Sequence, residues 1–152
     1  MRNHPFHATI SILALLGAIF TDRQSMAAEK IAGPVAAELI RVIDGDTVLV
    51  SAMPWPDHHV TTYVRLRGID APELKSRCPA IRSAAEQAQS TLTSLLDASP
   101  VVALTNISGD KYYGRVVAAL TLADGSDPAE ALLSAGLVDP YRGGRKKAVA
   151  CS

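Results

Sequence analysis

Apolar and polar residues alternate along much of the middle of this chain, the pattern of strands that bury one face. Glu38 to Val42 is strand-like, and Asp44-Gly45 turns the chain into a second strand, Thr47 to Val50. Further on, Val60, Thr62, Val64 and Leu66 fall on one strand face, while Tyr63, Arg65 and Arg67 take the other. Gly68 permits a bulge or a close approach, and Pro72 ends the pairing by removing a backbone donor. Between the second and third strands, Met53 to His59 holds two prolines around Trp55 and reads as a loop.

The period then changes. Pro79 to Leu96 carries Ile81, Ala84, Ala85, Ala88, Leu92, Leu95 and Leu96 on one apolar helical stripe. Val101 to Ile107 predicts a fourth strand and Ser108 to Gly114 a loop. A fifth strand follows from Arg115 to Leu122, with Val116, Ala118, Leu120 and Leu122 inward. Asp124-Gly125 is a turn, Asp127 caps a short helix with Pro128 at its first position, and Gly136 stands just past its end. Glu29 to Ala36 reads as a loose lead-in broken by Gly33-Pro34, and Leu137 to Ser152 as an irregular, basic tail. Periodicity alone supports a small, mainly β, α+β protein. The order of elements goes a step further, to a five-stranded OB-type barrel with helices packed outside it.

At 152 residues this is one domain behind a leader. Met1 to Ala27 reads as a secretory signal peptide, with Arg2, an apolar run from Ala8 to Phe20, and small residues at Ser25 and Ala27. The run is shorter than the ~20 residues that span a bilayer. The mature protein is therefore expected to be exported, to the periplasm or the medium, with no membrane segment. Residues 28–36 then form the lead-in and 37–152 the domain. Removing Arg2, Asp22 and Arg23 takes the charges from 15 basic and 15 acidic to 13 and 14. That balance disfavours a processive binder relying on bulk phosphate attraction and still permits a local phosphate site. Cys78 and Cys151, an even pair in an oxidising compartment, read as a disulfide worth about 4 kcal/mol on the chain-entropy view.

Arg65 to Glu73 delivers a guanidinium and then carboxylates at Asp70 and Glu73. Such a set can hold a phosphate against a hard cation, although an ordinary strand end with solvated charges has the same composition. Asp44-Gly45-Asp46-Thr47 suggests a calcium loop, yet Val48 stands where an EF-hand would place its next oxygen ligand. Asp46 is then the candidate ligand and Asp44 a turn former, with a turn-only role for both the alternative. Gly109 to Arg115 puts an arginine at a strand start behind a glycine. His58 and His59 read as solvent-facing and Trp55 as a loop anchor or a base-stacking ring. Arg142, Arg145, Lys146 and Lys147 could follow a phosphate backbone or form a solvated end.

Taken together, Asp-Gly-Asp-Thr, Arg-Leu-x-Gly-Ile-Asp-x-Pro-Glu and Tyr-Gly-Arg, in this order and at these separations, resemble the staphylococcal nuclease (thermonuclease) family. The resemblance runs from about Glu38 to Tyr141, and the cysteine pair and Pro-Tyr-Arg-Gly-Gly-Arg ending look like its exported bacterial branch. It implies a calcium-dependent phosphodiesterase that cuts DNA and RNA, preferably single-stranded or frayed, with little sequence preference and 3′-phosphate products. By the same resemblance, Asp46, Asp70 and the carbonyl of Ala71 match the metal ligands. Glu73 matches the group that positions or activates water, and Arg65 and Arg115 the phosphate clamp. Tyr113 and Tyr141 match the tyrosines near the bound nucleotide. A monomer is expected.

One departure stands out: both Tyr112 and Tyr113 lie where the family has one aromatic, so the loop is one residue longer. A slip of the fifth strand would expose its four inward residues, so the extra residue is expected before Gly114, with Arg115 in register. The rival reading is a non-catalytic OB-fold nucleic-acid-binding module, which would be expected to have lost Asp46, Arg65, Glu73 or Arg115.

Overall fold

The computed structural model describes residues 29–144 and Cys151. The expected leader lies outside the described residues, as do Arg145, Lys146 and Lys147 of the basic tail. The elements run β1 (Lys30–Ile31), β2 (Val35–Val42), β3 (Thr47–Trp55), β4 (His58–Leu66), β5 (Ile69–Asp70), α1 (Pro79–Asp97), β6 (Val101–Gly109), β7 (Arg115–Thr121), α2 (Pro128–Ser134) and β8 (Asp139–Pro140).

Strands β6, β2, β3, β4 and β7 are hydrogen-bonded in that order, and pairing of β6 with β7 closes the ring. Only the β4–β7 contact is parallel, so this is a mixed five-stranded barrel of the OB type. Alternation fills its interior with Val48, Val50, Val64, Leu66, Leu104 and Leu120. Helix α1 adds Ala88, Leu92 and Leu96 to the same core. Burying each leucine is worth roughly 1.5–3 kcal/mol, so the helix is fixed by this stripe. The stripe is narrower than its periodicity predicts: Ala84 is exposed, and Ile81 and Leu95 are half-buried. Helix α2 starts as expected, with the Asp127 carboxylate accepting from the Ala129 amide at 2.8 Å.

Three expectations need correction. Met53 to His59 is not a loop, because β3 and β4 form a hairpin with Pro56-Asp57 as its turn and Trp55 opposite His58. A register shift between Ala52 and Trp55 accommodates Pro54, since a bulge spares the donor that proline lacks. The hairpin also projects beyond the closed barrel, because β7 joins β4 only from Tyr63 onward. Val60 is therefore 47% exposed and not a core residue.

The lead-in belongs to the sheet. Lys30 and Ile31 pair with Ser108 and Ile107, and Val35 and Ala36 with Leu104 and Ala103. The tail is likewise not wholly irregular, since Ile69 and Asp70 in β5 pair with Pro140 and Asp139 in β8. Two-residue pairings carry no period that a sequence could display. The tail is tied a second time by the Cys78–Cys151 disulfide, with Cα atoms 5.6 Å apart. No helix among the described residues is long and apolar enough to cross a membrane.

Candidate active site

The turn between β2 and β3 is built to bury one carboxylate. Its ends are held by the amides of Ile43 and Asp44, which donate to the Thr47 carbonyl at 2.9 and 3.3 Å. The Asp44 carboxylate accepts from the Asp46 amide at 3.0 Å, the local bond expected of a turn-forming aspartate. Gly45 is there for space. A Cβ at that position would lie 2.7 Å from Cβ of Ala88 in α1 and 2.9 Å from Cβ of Ala71. Asp46, only 3% exposed, is directed beneath the β4–β5 connection. Its Oδ1 accepts from the Thr47 hydroxyl at 2.8 Å and from Arg65 Nη1 at 2.9 Å, and its Oδ2 from the Ala71 amide at 2.9 Å. Burial pushes the Asp46 carboxyl up to about 6, against the pull of the Ala71 amide and Arg65, while Asp44 adds to the rise.

Arg65 reaches Asp46 because β3 and β4 pair Thr47 with Arg65. Its guanidinium bridges two carboxylates, with Nη2 donating to Asp70 Oδ1 at 2.6 Å and, more weakly, to the Ile69 carbonyl at 3.4 Å. Burial opposes the Arg65 charge, but Asp46 and Asp70 outweigh it and raise its pKa above the ordinary value. A guanidinium has five N–H donors, so this fork is fixed with donors left to offer. The Tyr141 ring lies 5.7 Å from the guanidinium carbon. Tyr141 is itself held by its amide, which donates to the Gly68 carbonyl at 2.7 Å, and by its hydroxyl, which donates to the Gly144 carbonyl at 2.8 Å.

Arg115 opens β7 in the expected register, opposite Tyr63 of β4 and followed by buried Ala118 and Leu120. Asp110 forms an ion pair with its Nε. The Tyr112 ring lies 4.7 Å from its guanidinium carbon and 4.9 Å from the Lys111 ammonium. The longer loop thus sets the Tyr112 ring against Arg115. Tyr113 is fully exposed at the loop tip, outside the cleft, although the resemblance points to Tyr113 as the nucleotide-side tyrosine.

Arg65, Arg115, Glu73, Tyr112 and Tyr141 line one open cleft of about 860 Å³. A smaller recess of about 320 Å³ adjoins it, sharing Asp44, Arg65 and Glu73 and lined also by Asp46 and Ala71. Among the described residues no group of three or more His, Cys, Asp or Glu side chains is gathered closely enough to form a metal cage by itself. The recess nevertheless offers oxygen atoms as its ligands, from Asp44, Asp46 and Glu73, with no histidine or cysteine among its lining. That chemistry fits a hard cation and not zinc.

The fold therefore brings Asp46, Arg65, Ala71, Glu73, Arg115 and Tyr141 to two adjoining hollows, joins Asp70 to them only through Arg65, and leaves Tyr113 outside. Sequence reading missed the cleft positions of Arg67, Lys111 and Asp110. The alternation of Arg67 with Arg65 on one strand face was the available signal for the first. His58 and Trp55 sit together at the hairpin tip, ring centres 6.4 Å apart, away from both hollows.

Comparison with curated proteins finds no significant match. The family model described as staphylococcal nuclease homologue matches residues 63–149, more than half of the chain. The matched span starts after Asp46, which joins the site through the β3–β4 pairing. The barrel, its two helices and this match agree: the chain belongs to the staphylococcal nuclease homologue family.

Proposed function

We propose that this protein is an exported, calcium-dependent nuclease that hydrolyses phosphodiester bonds in DNA and RNA with little sequence preference. The observation that carries the reading is the Asp46–Arg65–Asp70 fork, opening onto a cleft that Arg115 also lines. Family membership supports a nuclease-like or nucleic-acid-binding module. The fork favours the enzyme, because a binding surface has no need to bury a carboxylate at the expense of its charge.

Asp46, Asp70 and the Ala71 carbonyl would hold the calcium, which when bound would neutralise charge on the phosphate and attract water. The remaining steps belong to side chains. Arg65 and Arg115 donate to the non-bridging oxygens and stabilise the charge that builds on them. Glu73 orients the attacking water and accepts its proton. The water oxygen bonds to phosphorus as the bond to the 5′ oxygen breaks. The leaving alkoxide takes a proton from solvent, and the 3′-phosphate remains on the other fragment. Tyr141 walls the nucleotide side, where single-stranded or frayed substrate has a free base face to offer.

Asp110 accepts from Nε of Arg115, which leaves the Nη groups as donors for the two non-bridging oxygens of a phosphodiester, which share one negative charge. The protein is proposed to act as a monomer, and the Cys78–Cys151 disulfide is compatible with export.

A gel containing denatured DNA, developed with calcium or with excess EGTA, tests the proposal. Clearing with calcium alone is the expected result, and clearing in EGTA would remove the metal from it. No clearing under either condition would favour the binding module.

A further inference from the structure

We infer that Arg67 is a second phosphate anchor, which holds the backbone phosphate next to the one gripped by Arg65 and Arg115. This rests on the proposed nucleic-acid reading of the cleft and deepens it.

Arg67 follows the last residue of β4, and its amide still donates to the Ala118 carbonyl of β7 at 2.8 Å, so the chain stays extended enough to set it beside Arg65, about 7 Å along the backbone. Both line the same cleft of about 860 Å³. The Arg67 side chain is not loose. Its Nη2 donates to the Asn106 carbonyl at 2.6 Å, the Ser108 hydroxyl at 2.8 Å and the Val117 carbonyl at 2.9 Å. Asn106 has a φ of 50°, within the left-handed region that asparagine tolerates, at the register shift of β6 against β7.

The chemistry of those partners is the telling part. Arg65 is balanced by Asp46 and Asp70, and Arg115 by Asp110. Arg67 is held by neutral acceptors alone, and no carboxylate pairs with it among the described residues. A clasp between strands needs donors and does not need a charge. Here a fixed cation held by neutral partners stands in a cleft lined by five cations, Arg65, Arg67, Lys111, Arg115 and Arg142, against three carboxylates, Asp44, Glu73 and Asp110. That excess of positive charge favours an anion among them. An anion with repeated charges at a short, regular spacing meets the arrangement: the backbone of a single nucleic-acid strand. One phosphate occupies the Arg65–Arg115 clamp and its neighbour reaches Arg67.

The test uses thymidylates with one phosphate (TpT) and two (TpTpT), titrated into the isotope-labelled protein in EGTA over a series of salt concentrations. Amide shifts report binding. Parent protein should show a steeper dependence of log K on log salt for TpTpT than for TpT, by about 0.7 for the extra contact. Arg67→Gln keeps an amide donor for the strand carbonyls and should lose that difference while binding TpT as the parent does. Arg67→Lys should restore the slope. Equal weakening of both ligands in Arg67→Gln would make the residue only a clasp and overturn the inference. So would an unchanged TpTpT slope, or a parent that binds the two ligands alike or not at all. Calcium-dependent cleavage by the parent is scored separately, so a failed nuclease reading leaves these slopes to judge Arg67 alone.

Discussion

The Tyr141 ring stands 5.7 Å from the guanidinium carbon of Arg65, so a strand in the middle of the chain and the tail after α2 build one wall together. A cation–aromatic contact of this kind is worth ~0.5–2 kcal/mol. Tyr141→Ala should lower kcat/KM on denatured DNA by about 10-fold, at ~1.4 kcal/mol per decade. Tyr141→Phe keeps the ring and should stay within about 3-fold of the parent. Steady-state rates decide it, and a Phe variant as poor as Ala would transfer the role to the hydroxyl's bond with Gly144.

Glu73→Gln should leave nucleotide binding intact and reduce turnover by ~100-fold or more, the usual scale for a positioned acid–base group. Single-turnover rates with saturating calcium measure the step directly. Unchanged turnover would shift attention to Asp44, which lines both hollows.

The two neighbouring tyrosines should behave differently. Tyr112 packs on Arg115, whereas Tyr113 touches only solvent. Deleting Tyr113 should keep the fold and most activity, and Tyr112→Ala should raise KM. Arg115→Ala should cost ~10³-fold or more, the scale of a charge-stabilising arginine. Assay of all three on one substrate ranks them, and an Arg115→Ala variant that cuts nearly as well as the parent would remove that arginine from the site.

Asp46 should give the calcium-free protein an unusual pH response. Its folded pKa, about 6, is above the ordinary 3.8, so between those values the folded state holds the proton more tightly than the unfolded state. Its contribution to stability is therefore least favourable at neutral pH and improves as pH falls through 6. From pH 7 to pH 5 the gain should be about 1 kcal/mol. Denaturant melts in EGTA, compared with Asp46→Asn as the non-titrating reference, isolate it. Calcium favours the ionised form and should reverse the trend. A parent that tracks Asp46→Asn at both pH values would contradict the shift.

Gly45→Ala should disturb the site from behind. The added methyl would meet Ala88 and Ala71 at 2.7 and 2.9 Å, so the turn or the helix must move. Overpacking of this kind costs typically 1–3 kcal/mol. Thermal melts should show the loss, and calcium affinity should fall with it because the same turn carries Asp46. Parent-like melting and calcium binding would mean the contact relaxes freely.

Much of this arrangement was legible beforehand for a simple reason. Long strands and an amphipathic helix repeat their signal, so Thr47–Val50, Val64–Leu66, Leu92–Leu96 and Ala118–Leu120 fell into place from period alone. Arg65 and Asp70 meet because they are close in one motif, whereas Asp46, 19 residues before Arg65, meets them only through the β3–β4 pairing, and the resemblance to a known family is what links the two motifs. What was hidden depended on contacts distant in sequence. The pairing of β5 with β8, the reason for Gly45, and the choice of Tyr112 over Tyr113 each need the partner's position. The hairpin at Trp55 does not show in the sequence because prolines usually interrupt strands, and only the bulge between Ala52 and Trp55 removes that objection.

On the proposed function, the late attachment of the tail also bears on when the site is completed. The turn and strands that carry Asp46, Arg65 and Asp70 are made first, but β8, Tyr141 and Cys151 follow α2. A nascent or clipped chain ending before Asp139 could form the fork and would lack the wall beside it. The covalent tie that fastens the tail to the start of α1 forms only where thiols are oxidised. On the proposed function, the nuclease would therefore reach its finished form only outside the reducing compartment that holds the cell's own nucleic acid. Synthesis order and redox chemistry would then act as a built-in delay that protects the cell producing it.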